Sequence, residues 1–126
     1  MRIGSENNFL MIEVVPVKDG CPVLQVEAVA SASGRRFTAS HDRLLISRCD
    51  LDFSDFDSLK SNQFEVAFTE GGWLRFQRDL HGNVTIKYRI GGWSASAAMD
   101  GEVTVDGEFA NKFCREFGAL LQSQKH

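Results

Sequence analysis

The chain has 126 residues, 43% of them hydrophobic and 25% charged, with a formal net charge of −3. That is the size of one domain with enough apolar material for a core, which excludes a disordered chain and a nucleic-acid binder driven by bulk positive charge. No apolar run approaches the roughly 20 residues that a bilayer-spanning helix needs.

The first expected element is a strand over Phe9 to Val15, stopped near Pro16. The short apolar stretch between Glu6 and Glu13 lacks the cleavage site of a signal peptide, and neither end carries a lipidation motif. Lys18-Asp19-Gly20 is turn material. Pro22 to Ala32 is a β-prone run of uncertain register that ends at Gly34. Phe37 and Ala39 share one parity, while Leu44 and Ile46 share the other. A bulge or turn near His41-Asp42 is therefore expected between Arg36–Ser40 and Arg43–Ser47.

From Asp50 to Ser61, Phe53, Phe56 and Leu59 recur at spacing three among carboxylates. This predicts an amphipathic helix of two to three turns, capped by Asp52 or Ser54. An antiparallel meander follows, with one buried and one wet face. Its strands carry Phe64, Val66 and Phe68; then Leu74 and Phe76; then Val84, Ile86, Tyr88 and Ile90; then Trp93, Ala95, Ala97 and Met99. Gly71-Gly72, Gly82 and Gly91-Gly92 turn the chain between them. A two-residue loop at His81-Gly82 would set Phe76 opposite Lys87. A three-residue loop with Gly82 in the left-handed position restores matched faces.

Gly-Gly-Trp occurs at 71–73 and again at 91–93, at the same end of the sheet. Two readings stand: tight turns with Trp73 and Trp93 capping the core, or a small binding lip. The last element is a helix from Asp106 to about Gln122, N-capped by Asp106. At 100° per residue, Phe109, Ala110, Phe113, Cys114, Phe117, Leu120 and Leu121 fall in an arc of about 140°, with Lys112 and Arg115 opposite. Phe109, Phe113, Phe117 and Leu121 should lie on the sheet, with Ala95 and Ala97 as a natural seat. The fold class is α+β in a single domain, 1–126. Its antiparallel meander is strongly curved or sandwich-like, with a short middle helix and a C-terminal amphipathic helix packed on it.

The residues offer little catalytic chemistry. Cys21, Cys49 and Cys114 are odd in number and lack a CxxC pair, which points to free thiols and a cytoplasmic location. His41, His81 and His126 have no zinc spacing. A nucleophile such as Ser47 or Cys49 near His41-Asp42 has nothing in the sequence to place it. Counting from Asp50 as an EF-hand loop puts Asp55 where Gly belongs and Ser61 where Glu belongs. No metal, cofactor or catalytic set is expected. Asp52, Asp55 and Asp57 read instead either as a solvated helix face or as a docking surface that attracts a basic partner. Arg75, Arg78, Lys87 and Arg89 form a basic stripe without aromatics of the same parity, so no nucleic-acid partner is expected.

Residues 50–121 carry a further pattern. Phe56-xx-Leu59 leads into a strand; Leu74-x-Phe76-xx-Asp79-xx-Gly82-x-Val84-x-Ile86 follows; Val103-x-Val105-Asp106 then opens a helix with Phe109, Phe113 and Leu120. This resembles the small bacterial immunity proteins of the WapI type, with Gly107-Glu108 departing from the polar pair usual after the cap. The resemblance implies a non-enzymatic protein that binds and neutralises a toxin domain, and it transfers no catalytic residue. Asp52, Asp55, Asp57, Trp73 and Trp93 are the candidate partner-binding residues. The alternatives are a homodimeric structural domain, which an exposed sheet face or edge would favour, and a small-ligand module, which needs a pocket between helix and sheet.

Overall fold

A computed structural model describes residues 1–15, 23–47, 52, 54–91 and 98–123, the side chains of 121–123 excepted. The strands are β1 (Arg2–Gly4), β2 (Phe9–Val15), β3 (Val23–Ala32), β4 (Arg35–Leu45), β5 (Gln63–Ala67), β6 (Trp73–Arg78), β7 (Val84–Gly91) and β8 (Ala98–Val105). The helices are α1 (Ser54–Asp57) and α2 (Gly107–Ser123). Strands β1 to β4 form one antiparallel meander and β5 to β8 a second. An antiparallel bridge between Ile46 and Phe68 joins them, flanked by Ser47 N–H to Ala67 O and Thr69 N–H to Leu45 O, both 2.9 Å. Both sheets feed one core, in which Leu10, Ile12, Leu24 and Val26 meet Val66, Leu74, Phe76, Ile86 and Tyr88.

The first sheet differs from expectation at its edge. β1 is a three-residue strand, anchored by the buried Ile3 opposite Leu10. Beyond it, the pattern behaves as expected. Ala32 pairs with Arg35 across Ser33 (φ 53°) and Gly34 (φ 74°), a two-residue loop with both residues left-handed, as a type I′ turn requires. The expected bulge is present: Leu24 pairs with Leu44, but Val26 pairs with His41, so β4 carries one extra residue at 42–43. That residue brings Leu44 back to the face of Ala39.

The second sheet follows the alternating pattern. Leu74 pairs with Tyr88 and Phe76 with Ile86. The β6–β7 loop has the three residues Leu80, His81 and Gly82, closed by Asp79 N–H to Asn83 O at 2.9 Å, with Gly82 at φ 83°. Asp79 Oδ1 accepts from the N–H groups of His81 (2.8 Å) and Asn83 (3.0 Å). β8 runs over Ala98–Val105, and the expected strand positions Trp93, Ala95 and Ala97 lie outside the described residues.

The middle helix is shorter than its periodicity suggests. Asp52 Oδ1 accepts from Ser54 N–H at 2.8 Å, and Phe56 is buried, but α1 makes a single turn. Lys60 N–H reaches Asp55 O at 2.9 Å and Leu59 N–H reaches Phe56 O at 3.3 Å, with Leu59 at φ 67°. This is a Schellman cap with leucine where glycine is usual. The cap turns Leu59 outward, 64% exposed, so it does not join the face of Phe56. Replacing Leu59 with Gly is expected to raise stability by about 0.5–1 kcal/mol, because it relieves a left-handed leucine. Urea midpoints measure it, and a drop in midpoint would show that the leucine side chain stabilises the turn.

α2 is capped as expected, with Asp106 Oδ1 accepting from Phe109 N–H at 2.8 Å. Its first residue is Gly107 for a packing reason. A methyl there would run into the carbonyl oxygen of Gly82, so the helix start sits directly on the β6–β7 hairpin. Ala110, Phe113, Cys114 and Phe117 are buried. Phe109 (43% exposed) and Leu120 (39%) are not, and this corrects the expected face. Both lie at the same margin of the apolar arc, and the helix seats on the arc's centre. Leu121 lies outside the described side chains. Phe113 stacks on Phe76 at 6.3 Å and on Phe117 at 5.8 Å, while Phe76 meets Phe56 edge-on at 6.2 Å. α2 therefore covers β6 and α1.

Candidate functional site

With α2 on one face of the β5–β8 sheet, the other face is left to polar side chains. Three cross-strand rows line it: Gln63, Gln77, Thr85 and Thr104; Glu65, Arg75, Lys87 and Glu102; and Ala67, Trp73, Arg89 and Asp100. The bases sit on the two inner strands and the acids on the two outer ones. Opposite charges directly across a sheet attract, which holds the long side chains in rows. Arg75 Nε donates to Glu65 Oε2 at 3.0 Å, Arg89 Nε lies 3.8 Å from Asp100 Oδ1, and Thr85 and Thr104 share a hydroxyl bond of 3.0 Å.

Trp73 lies in this face. The same parity that buries Leu74 and Phe76 turns Trp73 and Arg75 outward. The Arg75 guanidinium stands 3.8 Å from the centre of the Trp73 ring, a cation–π contact that fixes both planes. Trp73 is therefore not a cap over the core. It also places an aromatic on the basic stripe, where none was expected. Arg78 was expected on the stripe but faces inward, donating to the carbonyls of Phe56 (2.9 Å) and Ser61 (3.1 Å). Trp93 lies outside the described residues.

The acidic candidates lie elsewhere. Asp52 caps α1, and Asp57 Oδ1 accepts from Arg115 Nε of α2 at 2.9 Å. Asp55 is exposed in the same turn. These residues belong to the helical layer, on the opposite side of β6 from Trp73. The structure does not bring the two candidate sets together.

His41 was considered with Asp42, but its partner is Glu70. Its Nδ1 accepts from Arg43 N–H at 3.0 Å, and Nε2 lies 2.8 Å from Glu70 Oε2. The accepting Nδ1 fixes the tautomer with the proton on Nε2. Both nitrogens are engaged, so the imidazole has no lone pair left for a general base. Glu70 is far away in sequence, and no local spacing announces it. Cys49 and Cys21 lie outside the described residues.

Cys114 is buried and unpaired by disulfide. Burial pushes its thiol up to about 12; Arg78 pulls it down and Asp57 pushes it up, both weakly by comparison. Alkylating reagents are expected to leave Cys114 unmodified in the folded protein at pH 8 and to label it in urea. An unfolded thiol ionises near pH 9, and the folded one keeps its proton to about 12. The contribution is therefore intact below pH 9 and falls by about 1.4 kcal/mol per pH unit above it. Burial also raises the Tyr88 phenol, which adds a loss of the same sign at higher pH. Comparing Cys114→Ala with the parent protein across pH 8 to 10.5 isolates the cysteine; parallel curves would refute its role.

No family model, curated protein or solved structure matches this chain. No helix among the described residues is long and apolar enough to cross a membrane.

Proposed function

We propose that this protein is a non-enzymatic protein-binding domain whose docking surface is the outer face of the β5–β8 sheet. The observation that carries this reading is the half-buried Trp73 held under Arg75 on a face made mostly of polar side chains. Tryptophan and arginine are the residue types that dominate binding hot spots, and here the stacking lowers the entropy lost on docking. Alternating charge around them gives register and rejects mismatched partners. The finer reading is an immunity protein that neutralises a toxin domain, and its support is the residue pattern of 50–121.

The test is to co-express the protein with the product of the gene that neighbours its own, assayed for toxicity alone. A stable complex and restored growth are expected. Trp73→Ala and Arg75→Glu should each weaken the complex about tenfold or more while leaving the melting temperature within a few degrees. Asp55→Asn should change affinity less than either. Full affinity in Trp73→Ala would move the interface off this face. No complex with the neighbouring gene product would remove the immunity reading.

A further inference from the structure

Two bases face each other at the centre of the outer face of the β5–β8 sheet. Arg75 of β6 and Lys87 of β7 are direct cross-strand partners, and Arg89 follows Lys87 on the same face. Like charges directly opposite destabilise a sheet, so this pair costs stability where it stands. The flanking acids cancel only part of it. Glu65 holds the Nε of Arg75, and Asp100 lies 3.8 Å from that of Arg89, but Glu102, directly across from Lys87, does not reach it. Among the described residues Lys87 has no ion pair and no hydrogen bond, and it is exposed. It borders an open hollow of about 370 Å³ shared with Gln63, Glu65, Arg75 and Gln77, all of them on β5, β6 and β7. With Arg75 already held by Glu65, the charge left over in this hollow is the ammonium of Lys87.

We propose that this basic centre takes an acidic ridge of a partner protein: a helix with carboxylates one turn apart, seated over Lys87 between Arg75 and Arg89, with basic residues on either flank. An incoming carboxylate supplies the counter-charge that Lys87 lacks and relieves its repulsion with Arg75. Lys87 and Arg89, two residues apart on one strand, are separated by about 6.7 Å, and carboxylates four residues apart on a helix by about 6 Å. The helix's flanking bases meet Glu65 on β5 and Glu102 and Asp100 on β8. Trp73, held under Arg75, gives the ridge an apolar neighbour. Bases and acids balance across these rows, so the face selects an arrangement of charge and gives a polyphosphate chain no net attraction. The arrangement also opposes a second copy: two such faces centred on a two-fold axis set inner strand on inner strand, base against base. This inference rests on the reading of this face as the docking surface and names the chemistry of its partner.

The probe is a fluorescent, stapled helical peptide with glutamates along one stripe and lysines on both sides of it. Its control has the same composition with the two exchanged, so bulk charge is equal. Titrated into the full-length protein, the first should saturate and bind about tenfold or more tighter than the second, with amide shifts moving at Arg75, Lys87 and Arg89. Lys87→Glu should weaken binding about tenfold or more, and Lys87→Arg should keep it. Lys87→Thr should also weaken binding while its melting temperature stays level or rises, because it removes the repelled charge. The proposal falls if the two peptides bind equally, if Lys87→Glu binds like the parent protein, or if Lys87→Thr melts lower. It also falls if oligothymidylate binds more tightly than the glutamate peptide, or if sedimentation shows a dimer that Lys87→Glu alters. The docking face itself is read separately through Trp73→Ala. A complex with the neighbouring gene product that is lost in Trp73→Ala but kept at full strength in Lys87→Glu would leave the face and remove the acidic ridge.

Discussion

Phe113→Ala is expected to cost about 3–5 kcal/mol, the range for emptying a buried phenylalanine site. Phe113 is the residue through which α2 holds the second sheet: its ring stacks on Phe76 of β6 and on Phe117 one turn along the helix. Phe76 in turn meets Phe56 of α1 and Phe64 of β5. Truncation leaves a cavity between α2 and β6, beside the stacked rings of Phe76 and Phe117. A 17-residue helix is marginal in water without such a seat. Small domains have only about 5–15 kcal/mol of stability, so the variant should be partly unfolded at 37 °C. Lys112→Ala, on the exposed side, should cost less than about 0.5 kcal/mol. Phe109→Ala should fall between them at about 1 kcal/mol, because much of its ring is already in water. Denaturant melts rank the three. Equal small losses would mean that α2 is detached from the sheet.

The second sheet was legible because one of its faces is wet. Leu74, Phe76, Val84, Ile86 and Tyr88 are buried and their neighbours are not, so period two survives in the sequence. Pairing parity then fixed the Gly82 loop. The first sheet hides its register because both parities are buried in places: Phe9 beside Leu10, Val23 beside Leu24, Ala28 beside Val29. Alternation cannot show there. β1 has one buried side chain, Ile3, and no pattern exists in a strand of three. Leu59 was misread because spacing three describes a helix only while the chain stays helical, and a left-handed cap ends it after one turn.

The candidate site was half legible. Gly-Gly-Trp singled out Trp73, and its shared parity with Arg75 was the signal for an outward ring. The size of an indole argues for the core, yet parity decided. Arg78 carried the same signal in reverse, sharing parity with Leu74 and Phe76.

Arg78→Met is expected to cost about 2–4 kcal/mol and to release α1. The guanidinium binds Phe56 O at 2.9 Å, Ser61 O at 3.1 Å and Asn111 Oδ1 at 3.4 Å, and it lies 4.1 Å over the Phe56 ring. One side chain on β6 thus ties Phe56 of α1 and Ser61 beyond its cap to Asn111 of α2. Hydrogen bonds to a charged group contribute about 1.5–3 kcal/mol, and their loss leaves partly buried carbonyls unpaired. Methionine keeps much of the stem's volume, so the cost reports the hydrogen bonds more than a cavity. Arg78→Lys should recover little, because an ammonium lacks the planar fork that spans three acceptors. Limited proteolysis gives a second readout: cleavage within 54–62 should accelerate in both variants while the β6–β7 hairpin stays protected. The thiol of Cys114 should titrate higher still without Arg78, which pulls it down in the parent protein. Wild-type stability in Arg78→Lys would show that a positive charge near α1 is enough and that Phe56 alone seats the turn.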